Sequence, residues 1–198
     1  MIGMLVEEMY KILDELSRDD RGITYLARVL MTDEVVDIKF LKLTVEQMSG
    51  EARRRFQREM SLLGSLHDRH IVRLYKHGEY DGRHYMVFEH LAGISLRAVI
   101  ELMCQRRAQA GGCLDEERAL RIARQVASGL SYAHEHKVIH RGLSPEAIRI
   151  GNDGLVKIVD FRFAKQPGSL DITSPGASML KPTPYMAPEQ RRGEESSA

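Results

Sequence analysis

The sequence predicts an α+β fold, with most of its strands gathered in the first half and a strongly amphipathic helix in the second. Three observations carry this. Five β-rich runs separated by turn residues lie before residue 90. Asp115–His136 is strongly amphipathic at helical spacing. Two short apolar runs, Glu146–Ile150 and Leu155–Val159, flank Asn152-Asp153-Gly154, a hairpin signal. The chain has 198 residues, enough for one sizeable domain or two small lobes.

Tyr10–Leu16 reads as a strand and Ile23–Val29 as its partner, joined by the polar turn Ser17-Arg18-Asp19-Asp20-Arg21-Gly22. Glu34–Leu43 is the next strand. A helix is expected over Val45–Leu66, with Phe56, Met60, Leu63 and Leu66 near one face. Ile71–His77 and His84–Glu89 form a strand pair around the Asp81-Gly82 turn. Gly93-Ile94-Ser95-Leu96 opens another helix, with Ser95 as N-cap. Gln105–Cys113 reads as a basic, glycine-containing surface loop. The helix Asp115–His136 presents Ala119, Ile122, Ala123, Val126, Ala127, Leu130 and Ala133 on one face. Gln166–Ser178 is rich in Gly, Ser and Pro and reads as a loop.

Composition narrows the function classes. The chain is 43% hydrophobic and 29% charged with net charge +1, so no global field recruits nucleic acid or a membrane surface. No apolar run approaches the roughly 20 residues that span a bilayer. Met1–Met9 lacks the pattern of a secretory signal. Cys104 and Cys113 are too few for a disulfide framework, and a cytoplasmic location with free thiols is expected.

The polar clusters at the ends of the central hairpin carry the functional reading. His140-Arg141-Gly142 precedes the first strand, and Asp160-Phe161-Arg162 follows the second. Their spacing resembles the H-R-D-L-K-P-x-N loop and D-F-G turn of the protein kinases. Other stations agree in order. Val36-Asp37-Ile38-Lys39 is similar to V-A-I-K, Phe88-Glu89-His90-Leu91 matches the segment that hinges the two kinase lobes, and Ala187-Pro188-Glu189 matches the closing A-P-E. The likeness runs from Tyr10 to Glu189, and its style is that of bacterial Ser/Thr kinases. It implies a two-lobe architecture: an antiparallel-sheet lobe over residues 1–89 and a partial, mostly helical lobe over 90–198.

The resemblance also locates departures. Gly142 stands at the catalytic aspartate, Ser144 at the lysine and Ala147 at the metal-binding asparagine. Of the phosphate-covering glycines only Gly22 remains, with Ser17 and Asp19 at the other two. Lys39 matches the phosphate-pairing lysine and Glu59 its helix partner, so a Lys39–Glu59 pair is expected. Asp160 is retained as a weak metal ligand. The family's lobe-linking stack is matched by Leu63, Leu74, His140 and Phe161, so packing positions are kept where transfer positions are lost. The implied function is that of a pseudokinase, a regulatory or scaffolding module. The alternatives are a weakly active or nucleotide-binding Ser/Thr kinase, and a fragment of a larger kinase-family protein. No cofactor is expected, with ATP and Mg²⁺ bound weakly at most. The family continues past A-P-E with helices that cover the helical lobe, so a protein partner is expected over the incomplete part. Ser169, Thr173, Ser174 and Ser178 are candidate phosphorylation sites, with Arg141 as phosphate partner.

The adenine-contacting positions of the family fall here on Thr24, Asp37 and Arg149. A carboxylate and a guanidinium replace apolar roof and floor, and each alone would be costly to bury. Arg149 is therefore expected to reach Asp37 and fill the pocket in place of a base. Asp37→Ala should destabilise more than Asp37→Ala combined with Arg149→Leu, because the single change strands a cation. Urea unfolding of both variants checks this. A double variant less stable than the single one contradicts it.

Overall fold

The computed structural model describes residues 1–110, 115–161, 164, 184–192 and 194. The chain divides into two compact units: Met1–Ser65 with Arg73–Leu91, and Leu66–Val72 with Ala92–Ala198.

The first unit is a six-stranded antiparallel sheet with one helix. Its strands are β1 (Leu5–Val6), β2 (Tyr10–Arg18), β3 (Gly22–Val29), β4 (Val35–Thr44), β5 (Leu74–Tyr80) and β6 (Arg83–Glu89), in spatial order β1-β2-β3-β4-β6-β5. Alternation sorts the side chains. Tyr10, Ile12, Tyr25, Ala27, Val36, Ile38, Phe40, Tyr85 and Val87 form one buried cluster. Phe40 is its hub, edge-on to Tyr25 at 6.2 Å and tilted on Tyr85 at 5.8 Å. Asp81 and Gly82 both take positive φ, +50° and +68°, as a two-residue hairpin turn requires.

Helix α1 (Gly50–Ser65) starts five residues later than the periodicity suggested. Thr44 and Gln47 close a turn of their own: the Thr44 amide donates to Gln47 Oε1 at 3.0 Å and the Gln47 amide to Thr44 Oγ1 at 3.3 Å. Ser49 then caps the helix, its hydroxyl oxygen accepting from the Ala52 amide at 3.1 Å. Phe56 and Met60 bury against Leu41 and Met86.

The second unit holds a three-stranded antiparallel sheet, β7 (Gly93–Ser95), β8 (Ile148–Gly151) and β9 (Val156–Ile158), in that order. Gly93–Ser95 is thus a strand rather than a helix entry, and Ser95 still caps α2 (Leu96–Ala110) through the Ala98 amide at 3.1 Å. The expected loop from Gln105 is corrected as far as Ala110. Glutamine, arginine and alanine favour helix, and the first glycine comes only at Gly111. Helix α3 (Glu116–Glu135) is capped by Asp115, whose Oδ1 accepts from the Glu117 amide at 2.9 Å. It buries Ile122, Val126, Gly129 and Ala133, while Ala123 and Ala127 of the expected face are exposed. The predicted strand from Ile71 is also corrected. Residues 70–72 join β9 instead: the Ile158 amide donates to His70 O at 2.8 Å and the Val72 amide to Ile158 O at 2.9 Å. Helix α4 is a single turn, Pro188–Arg191.

Two glycines of the first unit give a paired stability test. A Cβ on Gly22 would meet Phe40 O at 1.9 Å, so β3 and β4 lie this close only because position 22 has no side chain. Gly64, exposed in α1, has open space around its Cβ position. Gly22→Ala should cost about 1–3 kcal/mol and Gly64→Ala should gain roughly 0.5–1 kcal/mol. Urea denaturation of each against the parent checks both signs.

Candidate functional site

Because Val36, Ile38 and Phe40 point into the sheet's main cluster, Asp37, Lys39 and Leu41 project from the opposite face of β4. Leu41 packs there with α1. The register Gly22↔Leu41 and Thr24↔Lys39 brings the β2–β3 turn beside Lys39.

The turn is built around Asp19. Its Oδ1 accepts from the amides of Arg21 at 2.9 Å and Gly22 at 2.8 Å. Its Oδ2 accepts from Lys39 Nζ at 2.5 Å. The expected Lys39–Glu59 pair is therefore corrected: Lys39 bonds Asp19, and Glu59 lies 3.5 Å from the Arg21 guanidinium. A carboxylate already fixed by two amides loses little further freedom on pairing, which favours it over a glutamate with one more rotatable bond to order. Burial pushes the Asp19 carboxyl up, but the bond and charge of Lys39 and the two amides outweigh that and hold it below the usual carboxylate range. Gly22, the remaining glycine of the loop, donates its amide to Asp19 and serves the β3–β4 approach.

The hinge positions close the same unit. Phe88 is half-buried against the cluster of Leu41, Phe56, Met60 and Met86. Glu89 accepts the Arg73 amide on Oε1 at 2.7 Å. His90 Nδ1 donates to Asp37 Oδ1 at 2.7 Å, and Leu91 ends the unit. Leu63 is buried, and Leu74 packs against the α1 cluster. A cavity of about 370 Å³ is lined by Arg18, Tyr25, Phe40 and Lys42 among others, but not by Lys39.

In the second unit, the β8–β9 hairpin sets the loop positions. Ile148 pairs with Ile158, and the Val159 amide donates to Ala147 O at 2.9 Å, which places position 147 next to the residue preceding Asp160. Ala147 is 3% exposed, at the end of a 3-10 turn (Pro145–Ala147). Ser144 is its N-cap residue. Arg141 and Asp160 both adopt positive φ, +57° and +63°. His140 is buried, edge-on to Phe161 at 4.7 Å. Its Nε2 lies 3.0 Å from Val159 O and its Nδ1 accepts the Gly142 amide at 3.2 Å, so its bonds fit the neutral Nε2–H tautomer. Arg149 donates to Gly93 O at 2.9 Å.

Sequence reasoning missed three contacts. The Asp19–Lys39 and His90–Asp37 bonds are two of them. The third joins Arg97 to Glu146 Oε1 at 2.6 Å and to the Tyr185 hydroxyl at 3.1 Å. Burial raises the Glu146 carboxyl, and the Arg97 and Ser144 bonds outweigh it, leaving it lowered. Gln190 Nε2 donates to Arg141 O at 2.9 Å, so the Pro188–Arg191 turn is tied to the loop that carries Gly142. A strand-register argument from Gly22 would have found the first contact. Nothing in sequence spacing signals the Arg97 contacts, which span 49 and 88 residues. Arg162 and residues 166–180 with their candidate phosphorylation sites lie outside the described residues. Among the described residues no three His, Cys, Asp or Glu side chains gather as a metal group, and no helix is long and apolar enough to cross a membrane.

The protein kinase domain family matches residues 10–197. The serine/threonine-protein kinase PrkC of Bacillus subtilis is 33% identical over 193 residues, covering 98% of this chain and 28% of PrkC. The serine/threonine-protein kinase PknD of Mycobacterium tuberculosis is 34% identical over 188 residues, 94% of this chain and 26% of PknD. Mouse Aurora kinase C is 33% identical over 162 residues, 81% of this chain and 55% of that kinase. The chain thus spans less than a third of the length of these bacterial relatives.

The geometry at Asp19 sets an acid dependence. Its folded-state value lies below the ordinary 3.8, so its stabilisation is complete above that pH and is lost as pH falls through the lowered value. The stability difference between the parent and Asp19→Asn should be present at neutral pH and shrink progressively as pH falls below the ordinary value of 3.8. Urea unfolding across this range checks it; a difference independent of pH contradicts it.

Proposed function

The chain belongs to the protein kinase domain family, and from that premise we propose that it is a pseudokinase: a kinase-shaped regulatory or scaffolding module that transfers no phosphate. The observation that supports this is that Gly142 and Ala147 stand at the family's transfer positions in the sequence, with Ala147 O accepting the amide of Val159, the residue before Asp160. Glycine has no group to orient or accept a hydroxyl proton. Ala147 brings a methyl group where a metal needs an oxygen donor, and Ser144 brings no charge. Phosphoryl transfer depends on positioning and electrostatic stabilisation. General-base catalysis alone is worth about 10²–10⁴, and here three contributions are missing together. The scaffold around those positions is held by hydrogen bonds: His140 satisfies Val159 O, and Gln190 ties Arg141 O.

The relatives are named as serine/threonine-protein kinases, and two functional residues of the family pattern, Lys39 and Asp160, are present. That favours weak transfer as the second reading. With the chain matching only 28% of PrkC, the activity of any longer protein containing it is part of the proposal. Its expected partner is a protein bound to the helical unit, and ATP with Mg²⁺ is expected to bind weakly at most.

Incubation with radiolabelled ATP, Mg²⁺ or Mn²⁺ and a generic protein substrate should give no incorporation above an Asp160→Ala control. Incorporation that disappears in both Asp160→Ala and Lys39→Ala favours the weak-kinase reading. Gly142→Asp alone should restore no activity, since Ser144 and Ala147 still lack the other groups.

A further inference from the structure

The β2–β3 turn and Lys39 form an anion cradle. Two adjacent backbone amides, Arg21 and Gly22, and one ammonium converge on the two oxygens of one carboxylate. Amides in succession on a turn with a lysine opposite are a donor set suited to phosphate oxygens. In this chain a carboxylate already occupies it: Asp19 Oδ1 takes both amides, and Oδ2 takes Lys39 at 2.5 Å.

The two arginines of the turn are paired as well. Arg18 meets Glu15 at 2.8 Å, and Arg21 meets Glu59 at 3.5 Å. Each of these three cations faces a carboxylate, and Asp20 adds a further negative charge to the turn. A polyphosphate approaching this loop therefore meets donors already used and a local charge that does not attract it.

We propose that the Asp19 carboxylate is the resident anion of this cradle, standing where a phosphate group of a nucleotide or polyphosphate would bind, and that it closes the site to such ligands. The closure is local to the first unit and depends on none of Gly142, Ser144 or Ala147. It deepens the pseudokinase reading by naming why the retained Lys39 does not anchor nucleotide, and it is separable from that reading. The lysine is kept for the turn: its ammonium holds the β2–β3 hairpin onto β4.

The test uses the full chain, with inorganic tripolyphosphate and ATP as probes, each titrated calorimetrically. Asp19→Ala removes the resident carboxylate. Asp19→Asn removes its charge but keeps an oxygen that accepts the two amides, so the turn survives if the alanine variant does not fold. Either variant should bind tripolyphosphate about ten- to a hundredfold more tightly than the parent, the range given by one charge-assisted hydrogen bond. Adding Lys39→Ala should abolish the gain. Folded variants that bind no tighter than the parent overturn the proposal, as does a gain that survives Lys39→Ala. Radiolabelled transfer is measured on the same proteins: transfer by Asp19→Ala would overturn the non-transferring role and leave the cradle standing, while unchanged binding without transfer would do the reverse.

Discussion

The bond between Asp19 and Lys39 organises the first unit's functional face. It exists because strand alternation turns Lys39 away from the Phe40 cluster, and because the Gly22 approach draws the β2–β3 turn against β4. The two amides that Asp19 accepts hold the carboxylate within its own turn, so its pairing with Lys39 needs little additional ordering. One side chain thereby shapes the turn, neutralises the lysine and redirects Glu59 to Arg21. The bond is local and independent of the second unit.

The second unit shows the complementary pattern. The parts that hold a kinase-like loop in place are present and satisfied, from the His140–Phe161 contact to the Ala147–Val159 hydrogen bond. The groups that would act on a phosphate are replaced by a hydrogen, a hydroxyl and a methyl. The Arg97, Glu146 and Tyr185 contacts fix the chain near the Ala187-Pro188-Glu189 segment through charge and ring together.

Much of this was legible in the sequence because motif spacing follows from local geometry. The Asp81-Gly82 and Asn152-Asp153-Gly154 turns, the Ser95 and Asp115 caps and the alternation in β4 all declare themselves within a few residues. What was not legible depended on competition between partners. Periodicity extends α1 back to Val45, but the Thr44–Gln47 turn ends that extension. Likewise Ile71 looks like the start of β5 until Val72 bonds to Ile158. Lys39 has two candidate carboxylates, and only the register of β3 on β4 decides in favour of Asp19. Asp37 accepts from His90 within the first unit, a contact that residue spacing does not reveal.

The central claim is that a kinase fold has been kept while its nucleotide anchor is engaged internally. A thermal-shift titration of the unmodified protein with ATP, in the presence and absence of Mg²⁺ or Mn²⁺, tests it most directly. A ligand at a hundred times its Kd stabilises a folded protein by about 2.7 kcal/mol, a shift of several degrees. The account predicts no saturable shift at millimolar ATP with either metal. A saturable, metal-dependent shift reached at micromolar ATP would contradict it.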